Sequence, residues 1–283
     1  MADLLKIKQR INSVTTTKKI TKAMQLVATA KLGRTKNSYD NIINYYSSVK
    51  NVFNNLLLHS EDIDNIINKK HKQTYEIPKT LYIVIGSDLG LCGAYNAFLV
   101  KQVKEIIDKD SLLITLGTKI INSLKKYEDQ IIHSFAKIGD ELDYALAQVI
   151  SKKIYETIQN VYVDKVNIIY TEYINSISTE TKIKQIYPII ADEIEQANKI
   201  DLSIYEPSAR TILESSFIIY FEASMYLALA NAKLSEMSSR RTAMENATNN
   251  AEELIGNLEL DYNRSRQAKI TEEITEIISG SNS

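Results

Sequence analysis

The 75 residues from Ser208 to Asn282 contain no proline and only two glycines. Apolar and small residues recur there at three- and four-residue steps: Ile212, Ser216, Ile219, Ala223, Leu227, Ala230, then Ala243, Ala247, Ala251, Leu254 and Leu258. After a polar gap the pattern resumes at Ile270, Ile274 and Ile277. Such spacing predicts one helix, and 1.5 Å per residue makes it roughly 100 Å long. No small domain buries a rod of that length, so the helix must pair with another helix, enter a partner, or do both.

A second proline-free segment lies at the other end. Leu4 to Leu58 reads as a helix with apolar positions Leu4, Ile7, Ile11, Val14, Ile20, Met24 and Val27. The simplest packing joins the two termini as a long antiparallel coiled coil. The C-terminal helix is the longer, so one of its ends should lack an intramolecular partner. Small residues predict close backbone approach: Ala23, Ala28 and Ala30 on one helix, and Ala223, Ala228, Ala230, Ser235, Ser238 and Ser239 on the other.

Between the helices the period changes. Residues 59–79 are polar and read as a linker. Strands are expected at Leu81–Ile85, Leu112–Leu116, Ile131–Phe135, Lys165–Tyr173 and Lys182–Ile190. Helices are expected at Ala94–Ile107, Thr118–Tyr127 and Glu141–Ile158. The alternation predicts a small α/β insert with a mainly parallel, Rossmann-like sheet. The expected domains are a helix over 1–58, the linker, an α/β domain over 80–195 and a helix over 208–282.

Charge is uneven beneath a net value of −1. Residues 1–36 carry nine Lys/Arg against Asp3 alone, which suggests an acidic partner: nucleic acid, an anionic lipid surface or an acidic protein loop. The alternative is an ordinary solvated helix face. The most apolar run, Ser216–Ala232, is interrupted by Glu222 and makes a poor membrane span. MADLLKIKQR lacks an apolar signal core, and the single Cys92 fits a reducing compartment. Both favour a cytoplasmic chain.

Catalytic signatures are weak. Gly86 to Gly93 (GSDLGLCG) sits at a strand-to-helix junction where a phosphate could be cradled. It carries neither G-K-[ST] nor G-x-G-x-x-G. A plainer reading makes it a tight turn in which Asp88 caps the following helix. His59, His71 and His133 are scattered, and no carboxylate pair stands out, so neither a cofactor nor a metal is expected. Two polar segments, Thr15–Met24 and Tyr262–Glu273, place Thr, Arg and Gln where a coiled-coil seam wants apolar residues. Donors on a narrow shaft suit contacts that are made and released, each worth only about 1 kcal/mol.

Three motifs carry a resemblance. The run Ile11–Lys31 (INSVTTTKKITKAMQLVATAK), the loop Ser87–Gly93 (SDLGLCG) and the run Tyr262–Gly280 (YNRSRQAKITEEITEIISG) resemble signatures of the gamma-subunit family of rotary ATP synthases, the central rotor shaft. The likeness spans the whole chain. It implies a non-catalytic shaft inside a hexameric ring of alternating catalytic and non-catalytic ATPase subunits, at the inner face of a membrane. It also implies an epsilon-type small stalk subunit and a membrane rotor ring as partners, with no nucleic acid and no direct insertion of this chain into the membrane. Rotor–stator contacts are implied at Lys18, Lys22, Met24, Arg240, Arg266, Gln267, Thr271 and Glu273, and a bearing tip at Ile274, Ile277 and Ile278. Leu89 departs from the family pattern, as do Arg241, Thr242, Glu245 and Asn249. Other readings are a paralogous rotor whose head drives different mechanical work, a nucleotide-binding enzyme, and a coiled-coil scaffold or nucleic-acid-binding adaptor.

Overall fold

The computed structural model describes residues 2–58, 77–139, 142–175, 178–188 and 209–281. In chain order the elements are α1 (Ala2–Leu58), β1 (Lys79–Ile85), α2 (Tyr95–Ile106), β2 (Ser111–Leu116), α3 (Thr118–Ser123), a 3-10 turn (Lys125–Gln130), β3 (Ile131–Phe135), α4 (Tyr144–Asn160), β4 (Val163–Tyr173), β5 (Thr179–Tyr187) and α5 (Ala209–Ser281). They form two compact units, residues 31–239 and residues 1–30 with 240–283.

In the larger unit five strands form one sheet in the order β3-β2-β1-β4-β5. The first four are parallel, and β5 runs antiparallel to β4. Both faces of β1 are covered, which explains why its sequence is a continuous apolar run rather than an alternation. Leu81, Ile83 and Ile85 pack into a core with Phe53 and Leu56 of α1, Ile150 and Ile154 of α4, and Phe217 and Phe221 of α5. Val84 points the other way, into a core with Tyr95, Leu99 and Val103 of α2 and Ile120 of α3. An aromatic stack at 4.7 Å joins Phe53 to Tyr220 and locks α1 onto α5 inside this unit.

Several element bounds differ from those expected, each for a local reason. Strand β5 starts at Thr179, because Asn175 closes the turn early: its N–H donates to Ser178 O (3.1 Å), and its side chain accepts from Ser178 N (2.8 Å). The polar Thr179–Thr181 therefore already pairs with Thr171–Tyr173, on an edge strand whose solvated face hides it from a search for apolar runs. The strand stops at Tyr187, since Pro188 has no N–H to continue a ladder; Ile189 and Ile190 lie outside the described residues. The helix expected over Thr118–Tyr127 breaks after Ser123 and tightens to a 3-10 turn. Helix α4 starts at Tyr144 because Asp143 caps it, its carboxylate accepting from Ala145 N at 2.9 Å.

Burial ranks the substitutions. Leu81 is fully buried and Ile183 is 42% exposed. Leu81→Ala is expected to lower unfolding stability by about 3 kcal/mol, and Ile183→Ala by under about 1 kcal/mol. Urea unfolding followed by circular dichroism measures both, and equal losses would contradict the assigned core.

Candidate interaction surface

The loop at residues 86–93 is closed on itself. Gly86 allows close packing, as a Cβ there would meet Ile120 Cγ1 at 2.0 Å. Gly117, at φ 94°, brings the end of β2 against the Gly86 carbonyl. Asn96 holds Ser87 by donating from Nδ2 to its Oγ (2.7 Å) and accepting from its N–H (3.1 Å). Asp88 caps a helix, but not the one that follows it. Its Oδ1 accepts from Thr118 N (3.0 Å), Thr118 Oγ1 (2.8 Å) and Lys137 N (2.9 Å), and its Oδ2 from Gly139 N (3.3 Å). It thus caps α3 and pins the loop after β3, while α2 has no side-chain cap. Burial alone would raise the Asp88 carboxyl, but these donors outweigh it and hold the group below the ordinary carboxylate range.

The sheet order reverses at β1 and β4, and in open α/β sheets the crevice at that switch point takes the ligand. Here the chain's own α5 fills it. Tyr95 Oη donates to Ala232 O (3.2 Å), and Ser235 Oγ donates to Thr171 O (2.9 Å) at the end of β4. A cavity of about 20 Å³ lies between Ile85, Gly139, Leu229 and Lys233, room for one water. Cys92 is buried, and among the described residues no group of three His, Cys, Asp or Glu side chains is placed to hold a metal. His59 and His71 lie outside them.

The smaller unit is a helix pair. Antiparallel packing is fixed by Thr21 Oγ1 to Thr248 Oγ1 at 2.8 Å and by Lys18 Nζ to Glu252 Oε1 at 2.9 Å. Its less exposed positions on α1 include a heptad series, Leu4, Ile7, Ile11, Val14, Lys18, Thr21, Gln25 and Ala28, flanked by Thr15 and Met24. On α5 they are Met244, Thr248, Ala251, Ile255, Leu258, Tyr262, Ser265 and Lys269. The centre of this seam is polar. Lys18 lies in it, one-third exposed, and its ammonium holds the Glu252 carboxyl below its ordinary range, through the hydrogen bond first and the charge second.

This geometry revises two expectations. Ile20 and Val27 lie outside the seam, 56% and 54% exposed, because the 3.5-residue repeat lands on Lys18, Thr21 and Gln25. Together with Leu26, 61% exposed, they make an apolar outer face that the sequence reading missed. Of the small residues expected between the helices, Ala28 is buried, but Ala23 and Ala30 are exposed. Ala223 and Ala228 instead seat α5 in the core of the larger unit.

The site residues named from the resemblance fall in separate places. Lys22 is exposed and donates to Gln25 Oε1 at 3.1 Å, and Met24 is half-buried. Arg266, Gln267, Thr271 and Glu273 are exposed, with Thr271 Oγ1 donating to Gln267 O (3.0 Å) and Lys269 3.9 Å from Glu273. Arg240 differs from the rest, being buried within this chain at 6% exposure. The register set by Thr21 and Thr248 carries Leu4 opposite Ser265, so α5 runs past the start of α1. Ile274 and Ile277 on that overhang are 52% and 71% exposed. Ile278 lies on the same helix, and its side chain is outside the described residues.

Fold and surface define a class: an α/β body with a filled crevice and an antiparallel helix pair with an exposed apolar outer face. A family profile described as ATP synthase matches residues 3–283. The ATP synthase gamma chain of Mycoplasmopsis synoviae is 40% identical over 99% of this chain and 98% of its own length. That of Clostridium novyi is 36% identical over 99% and 97%. A chain from the Euglena gracilis mitochondrial ATP synthase (OSCP/F1/c-ring, rotational state 3) shares the fold, with a TM-score of 0.71 at 19% identity over 99% of this chain and 94% of that one. The chain belongs to the ATP synthase gamma-chain family.

Two outcomes follow from this geometry. A double-mutant cycle on Thr21→Val and Thr248→Val is expected to give a coupling energy of about 0.5–1 kcal/mol in urea unfolding, and zero coupling would contradict the pairing. The depressed Asp88 carboxyl adds stability above its unfolded value near 3.9, and that stability is lost as pH falls through the lower folded value. Asp88→Asn should therefore lower stability at neutral pH and flatten the acid side of the stability–pH curve; an unchanged acid limb would contradict the network.

Proposed function

We propose that this chain is the non-catalytic shaft of a rotary ATPase head, turning inside a ring of three catalytic and three non-catalytic subunits. The observation that carries the reading is the helix pair, with a polar seam, an apolar outer face and an overhang. Two unlike helices have no three-fold symmetry. A three-fold ring around them meets a different surface at each catalytic subunit, and a third of a turn exchanges those surfaces. Such differential contact is what allows one component to bias the conformation of another. ATP binding and chemistry belong to the partner subunits, in keeping with a crevice filled here by α5.

The contacts divide by chemistry. Lys18, Lys22 and Met24, with Ile20, Leu26 and Val27 beside them, face the catalytic subunits, the lysines meeting an acidic loop. Lys18 also serves through its hold on Glu252, and Arg240 from within the chain. Arg266, Gln267, Thr271 and Glu273 form a polar belt, and Ile274, Ile277 and Ile278 the tip that turns in the ring's upper bearing. The α/β body takes an epsilon-type subunit and the membrane rotor ring. Among the described residues no helix is long and apolar enough to cross a membrane, so attachment to the inner membrane face is through those partners.

The test is the subunit inventory of the native complex. One copy of this chain per three catalytic subunits is expected, and a stable homodimer without ATPase subunits would contradict the proposal. Met24→Lys adds a charge at the shaft surface. It should reduce ATP-driven ion transport several-fold, by about 1 kcal/mol or more of coupling, while ATP hydrolysis persists; unchanged transport would remove Met24 from the contact set.

A further inference from the structure

From Ala228 to Ser238 every residue of α5 is buried. Ala228, Ala230 and Ala232 there give close approach, and Leu229, Leu234 and Met237 supply the apolar packing. Apolar burial is non-directional, resisting withdrawal of a helix better than its rotation or sliding. Hydrogen bonds are directional, and this stretch directs them at the body from several sides. Asn231 Oδ1 accepts from Tyr39 Oη on α1 (2.7 Å) and from Tyr173 N on β4 (3.4 Å). Ser235 Oγ donates to Thr171 O on β4 at 2.9 Å. Lys233 Nζ donates to Gly139 O in the loop after β3 (2.9 Å) and pairs with Glu236 Oε2 (3.2 Å). At 100° per residue, Ser235 lies about 40° round the helix from Asn231, and Lys233 about 200°.

Stability alone does not call for this arrangement. The Lys233 and Glu236 side chains are 10% and 5% exposed, and buried ion pairs are commonly replaced by apolar residues of similar volume without loss of stability. Directional anchors on opposite sides of a helix do supply resistance to turning and slipping in the socket. We propose that Asn231, Lys233, Ser235 and Glu236 form a torque clamp, fixing α5 in the switch-point crevice so that force on the α/β body enters the one unbroken helix that continues to Ser281. The clamp rests on the reading of this chain as a rotor shaft. Its four members are positioning residues and touch no nucleotide.

The experiment uses the assembled complex in membrane vesicles, comparing ATP hydrolysis with ATP-driven ion transport. Ser235→Ala, Asn231→Leu and the pair Lys233→Met with Glu236→Leu are made singly and together. Hydrolysis should stay within about two-fold, while transport per ATP falls in steps as anchors are removed, reaching about five-fold or more for the combined form. Lys233→Arg, which keeps the charge pair, should retain transport. Ile154→Val, a core change in the same body, supplies a control for lost thermal stability and should leave transport per ATP intact. Transport unchanged in every clamp variant, or lost equally in the Ile154→Val control, overturns the clamp. If the combined form fails to assemble, Ser235→Ala and Asn231→Leu decide, each with an expected loss of about two-fold. A complex lacking this chain that still transports ions would overturn the rotor reading instead, which keeps the two failures distinct.

Discussion

Everything in this molecule turns on how one helix of 73 residues is buried. A helix of that length gains little from backbone hydrogen bonding alone and draws its stability from whatever covers it. The cover changes along α5. Around Ala228–Ser238 it is complete, and the helix is packed on all sides by sheet, loops and α1. From Met244 to Lys269 one heptad face is covered by the start of α1. Beyond that the surface is open, with isoleucines left in solvent. The three zones are thus a buried root, a two-helix stretch with one covered face, and an exposed end.

The shaft is built from weak contacts. The centre of its seam places Lys18, Thr21, Gln25 and Thr248 at positions where a stable coiled coil carries branched aliphatics. Thr15, Thr16 and Thr17 satisfy their hydroxyls on carbonyls four residues back, so they add polarity to the surface without holding the pair together. Polar contacts of this kind exchange readily with water, each worth about 1 kcal/mol net. The root is the opposite case. There α5 occupies the crevice in which open α/β sheets commonly hold a ligand.

Much of the fold was legible in the sequence. Leu81–Ile85 announced a doubly covered strand by its unbroken apolar character, and missing proline announced both long helices. The insert's strand–helix alternation led directly to the sheet. Other features were hidden for physical reasons. The seam of α1 was misread because Ile20 and Val27 are apolar yet lie outside, while Lys18 and Gln25 are polar yet lie inside. An exposed apolar face imitates a core in the sequence. Strand β5 was displaced because an edge strand with one wet face carries Thr, Glu and Lys. Asp88 was read as a local cap, since nothing in sequence shows that its carboxylate reaches across to Thr118 and Gly139. The burial of Arg240 was equally invisible, because a charged residue in a helix reads as solvated until its neighbours are known.

The central claim is that this chain turns as a body within a catalytic ring. The direct measurement immobilises the ring, attaches a probe to an exposed lysine of α2 such as Lys101, and follows its angle while ATP is supplied. Unidirectional rotation in three equal steps per turn, one for each catalytic subunit, is the predicted result. A probe that stays at a fixed angle while the same complexes hydrolyse ATP would contradict the account.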